Sequence, residues 1–241
     1  MKNEYTLIAI NAKYIHSNLS VLYIKNYCRA NNVNINILEF SINDSIDKIL
    51  SDIYLTRSNI LAFSCYIWNI DMIFKICRSF KKIRPDSIII LGGPEVSYES
   101  IEQMNSCIDY IVYGEGEITF YELIRYLENE NEDIESIYGL IYKSDNNIIM
   151  NKKRKAISNL DIIPFPYDDI SNHKNKIVYY ETSRGCPFQC QYCLSSLEKG
   201  VRFFSLDRVF KDIDFFIENR VKQVNLLIEL LIVIKKDVLV L

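Results

Sequence analysis

Five short apolar runs, each followed by a longer amphipathic stretch, fill the first half of the chain, and this alternation constrains the fold more than any other feature. Tyr5 to Ile10, Val33 to Phe40, Asn59 to Cys65, Ser87 to Leu91 and Tyr110 to Tyr113 read as strands. Between them Leu19, Leu22, Tyr23 and Tyr27, then Ile46, Ile49, Leu50 and Ile53, then Ile70, Ile73, Phe74, Cys77 and Phe80 recur at helical spacing. A shorter helix is expected near Ser100 to Met104 and a longer one from Ile118 to Leu127. Strands that alternate with helices pair in parallel, because each right-handed crossover returns the chain to the same end of the sheet. The expectation for residues 1–135 is a doubly wound, five-stranded parallel α/β domain of Rossmann-like type, with any ligand beyond the carboxyl ends of the strands.

Charge narrows the partners. With 28 Lys and Arg against 31 Asp and Glu, the net charge of −3 supplies no basic field, so no nucleic-acid partner is expected. The Lys152 to Lys155 run reads as a solvated surface. No apolar run reaches the ~20 residues of a membrane span, so no membrane partner is expected either. An odd count of seven cysteines without a signal peptide favours a reducing, cytoplasmic setting over a disulfide framework. Cys28, Cys65, Cys77 and Cys107 lie on apolar faces and read as small core residues.

Beyond the first domain, Ile137 to Lys143 and Asn147 to Met150 read as a hairpin, and Ile163-Pro164-Phe165-Pro166-Tyr167 as an extended segment, together a linker over residues 136–175. Residues 176–224 then open a second domain with a strand from Lys176 to Glu181 and a helix from Leu206 to Glu218. Cys186, Cys190 and Cys193 follow that strand as C-x3-C-x2-C. Three thiolates so close can hold three corners of an iron-sulfur cubane and leave the fourth iron open. A zinc site is the alternative, but zinc takes four ligands, and neither His173 nor a second cysteine pair stands at the usual spacing. Idle core thiols are the other reading. In the first domain Gly92-Gly93 and Gly114-Glu115-Gly116 would let backbone approach a ligand, although tight turns use such glycines too. Glu115 and Glu117 could accept hydrogen bonds from a cofactor or simply favour a helix dipole.

The segment Glu181-Thr182-Ser183-Arg184-Gly185-Cys186-Pro187-Phe188-Gln189-Cys190-Gln191-Tyr192-Cys193 resembles the signature of radical S-adenosylmethionine (SAM) enzymes. The resemblance implies a [4Fe-4S] cluster on Cys186, Cys190 and Cys193, SAM on the open iron, and an external one-electron reductant that lets the cluster cleave SAM to a 5′-deoxyadenosyl radical. Tyr192 would lie near the adenine. Together with that motif, Leu91-Gly92-Gly93-Pro94-Glu95, Tyr113-Gly114-Glu115-Gly116-Glu117 and Asn11 to Leu19 resemble the cobalamin-binding domain of the B12-binding class of these proteins, a likeness over roughly residues 1 to 222. It implies a corrin over the strand ends, with its nucleotide tail passing Ser64, Gly92, Gly93 and Pro94 and the Gly114, Glu115 and Gly116 loop. The family's cobalt-ligating D-x-H-x-x-G pattern is absent: His16 stands in the matching loop, but Tyr14 and Leu19 replace the aspartate and glycine. Without a carboxylate to orient its imidazole, His16 reads as a loop or capping residue ahead of a cobalt ligand.

The tail, residues 225–241, is apolar with no clean period and is expected to fit neither an amphipathic helix nor an alternating strand. With AT-rich codons chosen for it, restoring one base turns it into a string resembling the family's second barrel strand, so a frameshift is one reading. On that reading the chain ends within the first part of a (β/α) barrel and would bind cofactors without productive turnover of SAM. The alternatives to a radical SAM enzyme are a non-catalytic cobalamin-binding remnant and a small zinc or iron-sulfur module. Substrate identity is not legible, since the residues that would shape a substrate chamber belong to the rest of such a barrel.

Overall fold

The computed structural model describes residues 4–97, 104, 106–128, 133–145, 147–173, 175–188, 190, 191, 193, 194 and 200–227. The chain divides into two units, Met1–Lys155 with Pro164–Tyr167, and Ala156–Ile163 with Asp168–Leu241.

In the first unit the strands are β1 (Tyr5–Asn11), β2 (Asn36–Ser41), β3 (Ile60–Ser64), β4 (Ile88–Gly92) and β5 (Tyr110–Val112). They alternate with α1 (Leu19–Ala30), α2 (Ile46–Leu55), α3 (Ile70–Ile83), the one-turn α4 (Pro94–Ser97) and α5 (Gly116–Leu127). Side-chain caps fix two helix starts: Asn18 accepts from the Val21 N–H and Ser45 from the Lys48 N–H. The expected short helix near Ser100 to Met104 lies outside the described residues except for Met104, which is buried.

The five strands are parallel in the order β2-β1-β3-β4-β5. That order reverses direction between β1 and β3, where doubly wound sheets bind ligands. One face packs Ile8, Ile10, Phe63 and Leu91 against Ile49 and Ile53 of α2 and Ile73, Ile76, Cys77 and Phe80 of α3. The other packs Leu7, Ala9, Ala62 and Ile90 against Val21 and Cys28 of α1 and Phe120, Leu123 and Ile124 of α5. Strands apolar on both faces need helices on both sides, which the crossovers supply.

The hairpin, β6 (Leu140–Ser144) and β7 (Asn147–Met150), is not a separate linker element. β6 pairs antiparallel with β5, so the sheet has seven strands where five were expected. The Tyr113 hydroxyl donates to the Asn151 carbonyl at 2.5 Å, and the Asn151 amide donates to the carbonyls of Ile134 and Ile137 at 2.6 and 2.9 Å, tying the hairpin to the β5 end.

The second unit pairs β8 (Val178–Glu181) in parallel with β11 (Val224–Leu227), and α6 (Leu206–Glu218), capped by Ser205, stands between them in sequence. Buried Tyr180 on β8 meets Phe216 of α6 edge-on at 5.6 Å and donates to Asp212 at 2.9 Å. Arg208 donates to the same carboxylate at 2.7 Å and to the Ile163 carbonyl at 3.1 Å. The expectation that the tail is neither helix nor strand is corrected at Asn225 to Leu227, which lie in β11: a partner strand supplies backbone hydrogen bonds whatever the side-chain period. Residues 228–241, and with them the rest of the frameshift reading, lie outside the described residues. Among the described residues no helix is long and apolar enough to cross a membrane.

Candidate functional site

Register brings the first unit's candidate residues together. Glu39, Ala9, Ser64, Gly92 and Val112 lie in one row across β2, β1, β3, β4 and β5 at the carboxyl edge. By strand alternation Ala9, Ser64 and Gly92 point to the α1 and α5 face, so this part of the row carries almost no side-chain bulk. A ring of local hydrogen bonds holds the loops above it. The Asn18 amide donates to the Ser64 hydroxyl at 3.3 Å, while the Asn18 N–H donates to Glu39 at 3.1 Å. The Asn11 amide donates to the His16 carbonyl at 3.0 Å, which fixes the backbone of His16. Tyr14, at the position of the missing aspartate, is exposed.

Beyond β3, Asn69 is fully buried and bridges two strand ends, its amide donating to Ile10 and Ser64 carbonyls at 3.0 and 2.9 Å and its oxygen accepting from the Tyr66 N–H at 2.7 Å. The Tyr66 and Trp68 rings stack at 4.5 Å, with the Trp68 indole N–H donating to the Ile10 carbonyl at 3.4 Å. Gly93 has φ +112, and a Cβ there would stand 2.5 Å from the Cys65 carbonyl oxygen, so only glycine allows this approach. The Cys65 N–H donates to the Gly92 carbonyl at 2.7 Å, closing the β3 and β4 ends together. Pro94 opens α4, Glu115 stands at the N-cap of α5, and Gly116 begins α5 against Ile24 of α1. Ser97, at the end of α4, donates to the Gly93 carbonyl at 2.8 Å and accepts from the Gly114 N–H at 3.3 Å. Asn69 and Ser97 were not identified from sequence. Asn69 carries one usable signal, an asparagine directly before a helical apolar face.

In the second unit the cysteine loop leaves β9 (Ser183–Arg184), which pairs antiparallel with β10 (Arg202–Phe203). Gly185 and Gly200 close its neck: Gly185 has φ +91, and a Cβ there would collide with the Gly200 carbonyl oxygen. Glu181 at the end of β8 accepts from Arg184 Nε and Nη2, each at 2.8 Å, bracing the turn into the loop. Cys186 and Cys193 are half-buried and Cys190 is exposed, whereas Cys28, Cys65, Cys77 and Cys107 are buried, as expected of core residues. Burial pushes the thiols of Cys28, Cys65 and Cys77 far up, so these stay protonated. Among the described residues no group of three or more His, Cys, Asp or Glu side chains is gathered as a metal site. Tyr192 lies outside the described residues.

The B12 binding domain family matches residues 5–124. An uncharacterized methyltransferase of Pyrococcus horikoshii is 34% identical over 165 residues, 64% of this chain and 36% of that protein. The cobalamin-dependent radical SAM methyltransferase TokK of Streptomyces tokunonensis is 25% identical over 182 residues, 70% of this chain and 27% of its own length. The chain thus spans about a third of the curated relatives it matches. In fold it is similar to the cobalamin-dependent SAM radical enzyme OxsB solved with aqua-cobalamin, with a TM-score of 0.76 at 20% identity, over 93% of this chain and 34% of that one. Residues 5–124 are therefore a B12-binding domain, in a chain whose relatives include cobalamin-dependent radical SAM methyltransferases.

Proposed function

We propose that the first unit binds cobalamin across the carboxyl edge of β1, β3, β4 and β5, and that Cys186, Cys190 and Cys193 hold a [4Fe-4S] cluster to which SAM binds, for radical chemistry with methyl transfer as the reaction class. The observation that carries this reading is the low row Ala9, Ser64 and Gly92, flanked by loops whose backbones are already tied in place. A cofactor tail needs a groove without side-chain bulk, and this row fits that need. Ser64, Gly92, Gly93 and Pro94 would line the tail, with Gly114, Glu115 and Gly116 on its other side. His16 would serve the loop through its carbonyl, which Asn11 holds. The exposed and half-buried thiols on a loop pinched at Gly185 and Gly200 suit a soft metal cluster, and the resemblance to the radical SAM signature would put Tyr192 near the adenine.

When bound, these cofactors supply an electron for the SAM sulfonium, drawn from an external reductant, and a carrier for the methyl group. The protein's part is to bind, orient and exclude water. Glu181 and Arg184 fix the direction in which the cysteine loop leaves the strand. Methyl transfer is supported by the likeness to methyltransferases such as TokK.

Two titrations test the reading. Hydroxocobalamin should shift its absorption and quench Trp68 on binding the full chain. Anaerobic reconstitution with iron and sulfide should give cluster absorption that Cys186→Ser, Cys190→Ser or Cys193→Ser each abolishes. Absence of hydroxocobalamin binding would remove the first half of the proposal; uptake of one zinc with no cluster absorption would replace the second with a zinc site.

A further inference from the structure

The two glycine loops proposed to grip cobalamin are joined by one atom. The Ser97 hydroxyl donates its proton to the Gly93 carbonyl at 2.8 Å and accepts from the Gly114 N–H at 3.3 Å, using its donor and one lone pair at once. Gly93 cannot shift on its other side, because its backbone lies against Cys65, and Cys65 in turn donates to Gly92. The lacing therefore runs from the β3 end through the β4 loop to the β5 loop, and its last link is Ser97. Gly114 has φ +81 and nothing within 4 Å of where a Cβ would stand, so packing does not hold it.

We propose that Ser97 is a positioning residue for cobalamin: it sets the separation of the Gly93 and Gly114 loops and so keeps the cofactor site formed before the cofactor arrives. Preorganisation of this kind adds affinity by removing the cost of ordering a loop on binding. The Gly114 N–H is exposed, so water replaces the hydroxyl once Ser97 is truncated. Losing the link then changes loop position far more than stability.

This inference rests on the cobalamin reading, and the experiment separates the two. In the full chain, Ser97→Ala should weaken hydroxocobalamin binding by roughly three- to tenfold, the loss of one hydrogen bond's worth of order. The change should appear mostly in the off-rate, with the melting temperature nearly unchanged. Ser97→Thr retains the hydroxyl and should restore binding. Without cofactor, amide exchange at Gly114 should speed up in Ser97→Ala and not in Ser97→Thr. Equal binding by Ser97→Ala and the parent chain, or unaltered exchange at Gly114, overturns the proposal. Equal loss in the Ala and Thr variants with a lowered melting temperature overturns it too, since that is a packing effect. A parent chain that does not bind hydroxocobalamin defeats the cobalamin reading itself, and the exchange measurement still decides whether Ser97 holds Gly114.

Discussion

Cys65 and Cys186 stand at matching places in the two units, just beyond a strand, each near a left-handed glycine pressed against a neighbouring backbone. The same local device has opposite results for the sulfur. In the first unit Gly93 closes β4 onto the Cys65 backbone, and the thiol is sealed in the core with its pKa driven up by burial. In the second, Gly185 closes the base of a loop onto Gly200 and leaves its thiols at or near the surface. A close backbone contact thus accompanies a packing residue where helices cover the strand end, and accessible thiols where the chain doubles back on itself. Burial keeps the first kind of thiol protonated, whereas the second kind stands where a reagent or metal can reach it.

The strongest way to break that comparison is to add a Cβ at each glycine. Gly93→Ala combines a left-handed φ with the 2.5 Å approach to the Cys65 oxygen, a cost of about 3 kcal/mol or more. Trp68, the only tryptophan, lies in the first unit, and its fluorescence should report a melting temperature lower by ~6–12 °C. Gly185→Ala should leave that transition in place and abolish iron and sulfide uptake. Equal effects of the two substitutions on Trp68 would mean that the glycines do not act within separate units.

A smaller effect sharpens the contrast between thiols. Cys28, Cys65 and Cys77 are fully buried, so iodoacetamide reaches them only through local or global opening. Peptide mass spectrometry should find Cys186, Cys190 and Cys193 alkylated at least about a hundredfold faster. Prior cluster reconstitution should protect the fast group. Fast labelling of Cys65 would show that the β3 end is open.

The parts legible in the sequence are those whose cause is local or periodic. Strand and helix runs follow from apolar spacing, and the parallel order follows from right-handed crossovers. The cysteine motif is readable because its three residues lie close together in the sequence. The residues that hold the site are not readable in this way. Asn69 works through the Ile10 carbonyl, 59 positions away, and Ser97 through the Gly114 N–H, 17 positions away. Backbone donors and acceptors carry no sequence signal, so a side chain that bridges two loops looks like any other polar residue. The hairpin was legible as a hairpin, but its pairing with β5 depends on contacts such as Tyr113 to Asn151, which likewise end on a carbonyl.

Two aspartates give the finest comparison, because their environments displace them in opposite directions. Asp44, in the turn after β2, accepts from Lys48 Nζ at 2.7 Å and from the Ser41 N–H at 2.8 Å, and these bonds, the lysine's first, hold its carboxyl below the usual range. Burial pushes Asp212 above that range although Arg208 and Tyr180 both donate to it. The lowered group binds its proton less tightly when folded. Its contribution is therefore present above the ordinary carboxylate pKa of ~3.9 and is lost as pH falls through the folded value. The raised group binds its proton more tightly when folded, so its contribution is present below ~3.9 and is lost as pH rises from there through the folded value. Asp44→Asn should then flatten the acid loss of stability seen by Trp68 in the first unit. Asp212→Asn, which keeps an acceptor for Tyr180 and Arg208, should remove the decline with rising pH in hydrogen-exchange protection of the peptide spanning β8. Slopes of the same sign in the two units would show that the Asp212 carboxylate is stabilised by Arg208 more than burial opposes it, and that the second unit's buried acid behaves like the first unit's half-buried one.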